Sequence, residues 1–152
     1  MNRLFLLIIL FMVLLAAAFT DIKWRIIPNA LILSASAVRL CLYLPAIIQD
    51  EIRIGEIFLH TVISVLFPIV ACFTARVFVP DGIGMGDVKL MMLISLYLGF
   101  WDGIVAFLLS FLLAALTVSG FLFMDRGKRK RAIPLAPAFL LGTALAVLIR
   151  LL

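Results

Sequence analysis

The chain is a succession of long apolar runs with little between them, at about 4–20, 28–48, 56–79, 88–100, 103–124 and 133–151. Charge, proline and glycine separate the runs. A helix needs about 20 residues to cross the hydrocarbon of a bilayer, so six runs take up most of the 152 residues. Composition agrees: 66% of the residues are hydrophobic, 14% are charged, and mean hydropathy is +1.32. A soluble domain runs nearer half apolar and a quarter charged, and a single water-soluble core cannot bury this much apolar surface. The solvent for most of the chain is therefore lipid. The expectation is an all-α, polytopic integral membrane protein of about six transmembrane helices, forming one membrane-embedded domain over residues 1–152 with only short loops.

Two features of the runs qualify this outline. The fourth, Val88 to Phe100, covers about 20 Å of a roughly 30 Å core at 1.5 Å per residue. Either the preceding loop dips into the membrane or this segment does not fully cross. The first run has a basic start at Arg3 and a small-residue stretch, Ala16-Ala17-Ala18, so a cleavable signal peptide is the alternative reading of it. Lys23 and Arg25 directly after the run favour retention of that end in the cytosol.

Basic residues set the orientation. With six spans, the loops at 21–27, 80–87 and 125–132 share one side and hold seven: Lys23, Arg25, Arg126, Lys128, Arg129, Lys130 and Arg131. The other side holds three, Arg3, Arg53 and Arg150. The positive-inside rule places the first set in the cytoplasm and both termini outside. The net charge of +5 is then an orientation signal, with anionic-lipid contact as a minor addition, and nucleic acid is not an expected partner. Cys41 and Cys72 form no CxxC pair and His60 is the single histidine, so a disulfide framework, a zinc finger and an HExxH peptidase are excluded.

Among eight acidic residues, Asp50, Glu51, Glu56, Asp102 and Asp125 read as solvated loop charges. Asp21, Asp81 and Asp87 all fall on the expected cytoplasmic side. Asp21 ends the first span and Asp87 opens the fourth, at similar depth. Ionisable groups there are costly and are functional candidates. Two carboxylates that approach each other do not both ionise easily, so the pair is at once an acid and a base. That suits peptide hydrolysis: the ionised member takes a proton from water, and the protonated member polarises the scissile carbonyl. Gly84 and Gly86, lacking Cβ, would let an extended substrate backbone approach Asp87 and would permit positive φ. The alternative is that Gly82, Gly84 and Gly86 make a turn before a helix that Asp87 caps.

Gly84-Met85-Gly86-Asp87, followed by Val88-Lys89, resembles the GxGD motif of the type IV prepilin peptidases, membrane aspartic peptidases. Asp21-Ile-Lys-Trp-Arg-Ile-Ile-Pro28-Asn29 resembles that family's first aspartate segment. Ile133-Pro134-Leu135-Ala136-Pro137-Ala138-Phe139 with Gly142 resembles its late Pro-x-x-Pro span. The three elements occur in the family's order, on one expected side, over nearly the whole chain. The resemblance implies removal of the basic leader from type IV prepilins, pseudopilins or related preproteins at the cytoplasmic face of the cell membrane. Asp21 and Asp87 would be the catalytic pair, and Gly84, Gly86 and Lys89 would contact substrate, with no metal and no cofactor. Many bacterial members carry an N-terminal cytoplasmic domain with paired cysteines that supports N-methylation. This chain resembles the short, peptidase-only members, so methyl transfer is not expected of it.

Other residues carry weaker signals. Lys89 is a candidate to hold a substrate acid and equally a lysine that snorkels to the interface. Asp81 is a candidate contact for a basic leader, or a solvated charge. Trp24 and Trp101 read as interfacial belt residues. Arg39 lies well inside the second run and either snorkels outward or pairs within the bundle. Glu56 and His60 lie one helical turn apart, too few ligands for a metal. Pro28, Pro134 and Pro137 suit helix starts or kinks. Two other functions compete with the main reading. Lipoprotein signal peptidase also uses two aspartates, but its Asn-x-x-Asp-type motifs are absent and its pair faces outward. A small polytopic transporter or secretion-complex subunit would use Asp21 and Asp87 to bind ions or relay protons.

Overall fold

A computed structural model of the chain describes residues 3–48, 54–78, 84–124 and 135–152. Among these residues the secondary structure is helical throughout: α1 Arg3–Trp24, α2 Asn29–Cys41, α3 Leu44–Ile48, α4 Ile54–Phe78, α5 Met85–Leu98, α6 Phe100–Met124 and α7 Ala136–Leu151. The protein is an all-α polytopic membrane protein. Three stretches, Arg3–Trp24, Ile54–Thr74 and Phe100–Gly120, are long and apolar enough to cross a bilayer by length and composition. The helices α2, α5 and α7 have 13, 14 and 16 residues, about 20–24 Å each, so half of the bundle is thinner than the hydrocarbon layer.

α1 shows how such a helix packs. Leu6, Leu10, Leu14, Ala17 and Asp21 are buried, a stripe of helical period. The opposite face, Leu4, Phe5, Ile8, Met12, Leu15 and Phe19, is exposed and equally apolar. An apolar outer face is what lipid requires. The stripe meets Leu90, Leu93 and Ile94 of α5 and Ala136 and Phe139 of α7 in one core.

The expected second run is not one helix. α2 stops at Cys41, and a turn at Leu42 and Tyr43 leads into the short α3. Pro45 explains the stop: it has no main-chain N–H to donate to the carbonyl four residues back, that of Cys41. α5 stops at Gly99, whose φ of +94° is the left-handed region glycine tolerates and whose N–H bonds the Ser95 carbonyl. α6 follows at once from Phe100.

Paired contacts give the directions. Asp102 of α6 forms an ion pair with Arg150 of α7, and Gly142 of α7 lies against Ser110 of α6, so these helices are antiparallel. Their approach is close: a Cβ on Gly142 would lie 2.6 Å from the Ser110 Cα, the small-residue packing that lets helix backbones meet in lipid. Asn29 bonds Lys89 and Arg39 bonds the Leu96 carbonyl, so α2 runs parallel to α5. Cys72 touches Met91 while His60 lies beside Gly99, so α4 is antiparallel to α5. The six longer helices therefore alternate. One end of the bundle collects the end of α1, the starts of α2, α5 and α7, and the ends of α4 and α6.

Candidate active site

At that end, α1 terminates through Arg25, which takes a left-handed φ of +54° and donates its N–H to the Asp21 carbonyl at 2.9 Å. This leaves Asp21 on the last turn of α1, buried, facing α7. There Oδ2 accepts the main-chain N–H of Ala136 at 2.9 Å. Ala136 is the first residue of α7, and the first four N–H groups of a helix have no partner within it. The Asp21 carboxylate supplies that partner from 115 residues away in the chain.

Asp87 is the third residue of α5. Gly84 is the N-cap, extended at φ −71° and ψ 147°. The Asp87 main-chain N–H bonds the Gly84 carbonyl at 3.1 Å, and its carboxylate takes a hydrogen bond back from the Gly84 main chain. This is one half of a capping box, since glycine has no side chain to bond the Asp87 N–H in return. Asp21 and Asp87 are brought close enough for the charge of one to act on the other. Cys72 of α4 is buried behind them, its Sγ 3.5 Å from the Met91 Sδ and within the field of Asp87.

The glycines differ from each other. Neither Gly84 nor Gly86 uses positive φ, the freedom expected from the sequence; among the described residues the left-handed glycine is Gly99. Gly84 is instead a close-approach position: a Cβ there would lie 3.1 Å from Asp87 Oδ2. Gly86 is inside the first turn of α5, and a Cβ on it would meet Ile27 at 3.4 Å, an ordinary contact on the side of the α1–α2 connection. Lys89 is engaged by the protein: Nζ donates to Asn29 Oδ1 at 2.8 Å and so ties the start of α2 to α5.

Asp81, Gly82, Ile133, Pro134 and the basic cluster Arg126–Arg131 lie outside the described residues. Pro28 caps α2 and Pro137 sits in the first turn of α7, both at helix starts. Arg39, with its two readings open in the sequence, is buried within the bundle. Its Nε donates to the Leu96 carbonyl at 3.2 Å, and the guanidinium lies 4.3 Å from the Tyr43 ring centroid. His60 uses Nδ1 on the Tyr43 hydroxyl at 3.1 Å and lies far from the aspartates.

Sequence reasoning missed two neighbours of the pair, the Ala136 N–H and Cys72, and the Asn29 partner of Lys89. Pro137 announced a helix start near Ala136, but nothing in the sequence linked that start to Asp21. The arrangement is two carboxylates at helix ends, one bonded by a fixed main-chain donor, beside an approach lined by a residue without a side chain. It can accept a proton at one oxygen and deliver one from another.

The family model described as "Type IV leader peptidase family" matches residues 8–119. The match contains both Asp21 and Asp87 and stops before α7. No curated protein and no solved structure matches the chain.

Proposed function

The chain belongs to the type IV leader peptidase family, and from that premise we propose that it is an aspartic endopeptidase whose reaction is carried by Asp21 and Asp87. Membership favours hydrolysis over the ion- or proton-binding role weighed for the same pair. The observation that carries the reading is the meeting of two acids from α1 and α5 at one end of a membrane bundle.

The two acids share one proton. Each carboxylate accepts one main-chain N–H, Asp21 from Ala136 and Asp87 from Gly84, and we assign the proton to Asp87, the acid beside the approach at Gly84. Asp21 takes a proton from water as the water oxygen attacks the scissile carbonyl carbon. Asp87 gives its proton to the carbonyl oxygen, and a gem-diol forms. Asp87 then recovers a proton from one diol hydroxyl while Asp21 passes its own to the leaving nitrogen. The C–N bond breaks, and both acids return to their starting states. The substrate must be extended at the cut, because a helical backbone ties up its carbonyls. An apolar substrate segment is helical in lipid, so the cut falls just outside that helix, at the interface.

The substrate class we propose is a prepilin or related preprotein with a short basic leader, cut at the cytoplasmic face of the cell membrane by a single domain over residues 1–152. The seven-to-three distribution of basic residues supports that orientation. Gly84 borders the substrate's path, Gly86 lies in the same turn with its Cβ direction toward Ile27, and Lys89 holds the α2–α5 junction beside it. The test is cleavage of a purified prepilin by detergent-solubilised protein. Wild type cuts it, and Asp21→Asn and Asp87→Asn, folded normally, are both inactive. Residual cleavage by either variant removes the two-acid mechanism.

A further inference from the structure

The opposite end of the bundle carries a second feature. The start of α1, the ends of α5 and α7 and the start of α6 border a small open cleft of about 80 Å³, a surface groove rather than an enclosing pocket. Its walls are aliphatic, with Leu7, Leu98 and Val147 among them, and its rim carries Arg3, Asp102 and Arg150. Arg150 is paired with Asp102, and Arg3 adds a second guanidinium, so the rim holds one positive charge more than negative. A charged rim over a hydrocarbon wall fits an amphiphile with a single negative charge.

Depth identifies the kind of amphiphile. Arg3 lies 18 residues before Asp21 on the same helix, about 27 Å at 1.5 Å per residue. That is close to the thickness of bilayer hydrocarbon. Trp24 near one end and Trp101 near the other are both exposed, as residues of the two interfacial belts are. With the aspartates at one interface, Arg3 and Arg150 stand at the headgroup level of the other, and the aliphatic wall lies at the depth of acyl chains. Guanidinium groups bind phosphate oxygens through paired N–H donors.

We infer that this cleft is a binding site for an anionic phospholipid, with the phosphate on Arg3 and Arg150 and the first methylenes of an acyl chain along Leu7, Leu98 and Val147. Asp102 limits the site: it occupies Arg150 and offsets its charge. A zwitterionic lipid offers the same phosphate but brings a cation to a rim that already has a surplus of positive charge. The site is remote from the aspartates and does not depend on the reading of them as catalytic.

The experiment is a titration of delipidated, detergent-solubilised full-length protein with dioleoyl phosphatidylglycerol, read by native mass spectrometry, with dioleoyl phosphatidylcholine in parallel. One phosphatidylglycerol is expected to bind in preference to phosphatidylcholine. Arg3→Gln, on an exposed side chain in the first turn of α1, removes a charge-assisted contact and weakens that binding by about tenfold. Asp102→Asn frees Arg150 and tightens it. Thermal unfolding of each variant confirms that it is folded. Equal binding of the two lipids overturns the proposal, as does an Arg3→Gln protein that binds phosphatidylglycerol like wild type. Inorganic phosphate that stabilises the protein as well as the lipid does also overturns it, because the occupant is then a free anion.

Discussion

Replacing Gly84 with alanine separates the reacting geometry from the fold. The backbone at Gly84, φ −71° and ψ 147°, is open to any residue, so alanine meets no conformational obstacle. As an N-cap, alanine is worse than glycine, but it reduces the freedom of the unfolded chain by a comparable free energy. Net stability is expected to change by less than about 0.5 kcal/mol. The new methyl lies 3.1 Å from Asp87 Oδ2, where ordinary contact begins at 3.4 Å. The carboxyl must retreat by about three tenths of an ångström. A misplacement of 1 Å costs about 10²-fold in rate, so this retreat costs about fourfold. Turning the side chain off its rotamer costs about 1 kcal/mol, which is about fivefold, and the two routes agree. The contrasting variant is Gly86→Ala. Its methyl meets Ile27 at 3.4 Å, and alanine is favoured over glycine inside a helix by about 1 kcal/mol. Gly86→Ala is therefore expected to unfold at a higher temperature and to cleave like wild type. The assay is kcat on a purified prepilin beside thermal unfolding in the same detergent. Wild-type kcat for Gly84→Ala would falsify the close-approach reasoning. Equal damage from the two variants would show that the turn, not the methyl, governs the site.

Cleavage should follow a bell in pH, lost on the acid side when the pair holds two protons and on the alkaline side when it holds none, so both limbs belong to the pair. EDTA should leave the profile unchanged; loss of activity restored by a divalent ion would point to carboxylate-bound metal. Arg25→Gly relieves a left-handed φ of +54° that costs a side-chain-bearing residue about 1 kcal/mol, and thermal unfolding should show a net gain of about 0.5 kcal/mol after the entropy of the added glycine. Gly142→Val drives a side chain into the Ser110 backbone and should cost about 1–3 kcal/mol. Because α7 also carries the Ala136 donor, that variant should lose cleavage in proportion to its shift in unfolding. Full cleavage from a clearly destabilised Gly142→Val would separate α7 packing from the site.

The sequence by itself determined the solvent and the outline. Apolar runs separated by charge, proline and glycine already dictate a helical chain that crosses lipid repeatedly, because a buried helix needs no partner outside itself to satisfy its backbone. The two aspartates were legible for a related reason: a carboxylate at membrane depth is too costly to be incidental. Only the tertiary structure decided what surrounds them. It shows that Asp21 is held by an N–H 115 residues away, that Gly84 rather than Gly86 crowds the Asp87 carboxylate, that Lys89 is tied to Asn29, and that Arg39 is sheltered by Tyr43. Such contacts depend on how each helix is rotated about its axis. In water that rotation is written in the contrast between a polar and an apolar face. Here Leu10 faces the core and Leu15 faces outward on the same helix, and residues of one chemistry cannot mark which way a helix turns. Rotation is set instead by where small residues such as Gly142 and Ser110 let backbones meet, a property of pairs of helices that no single segment contains.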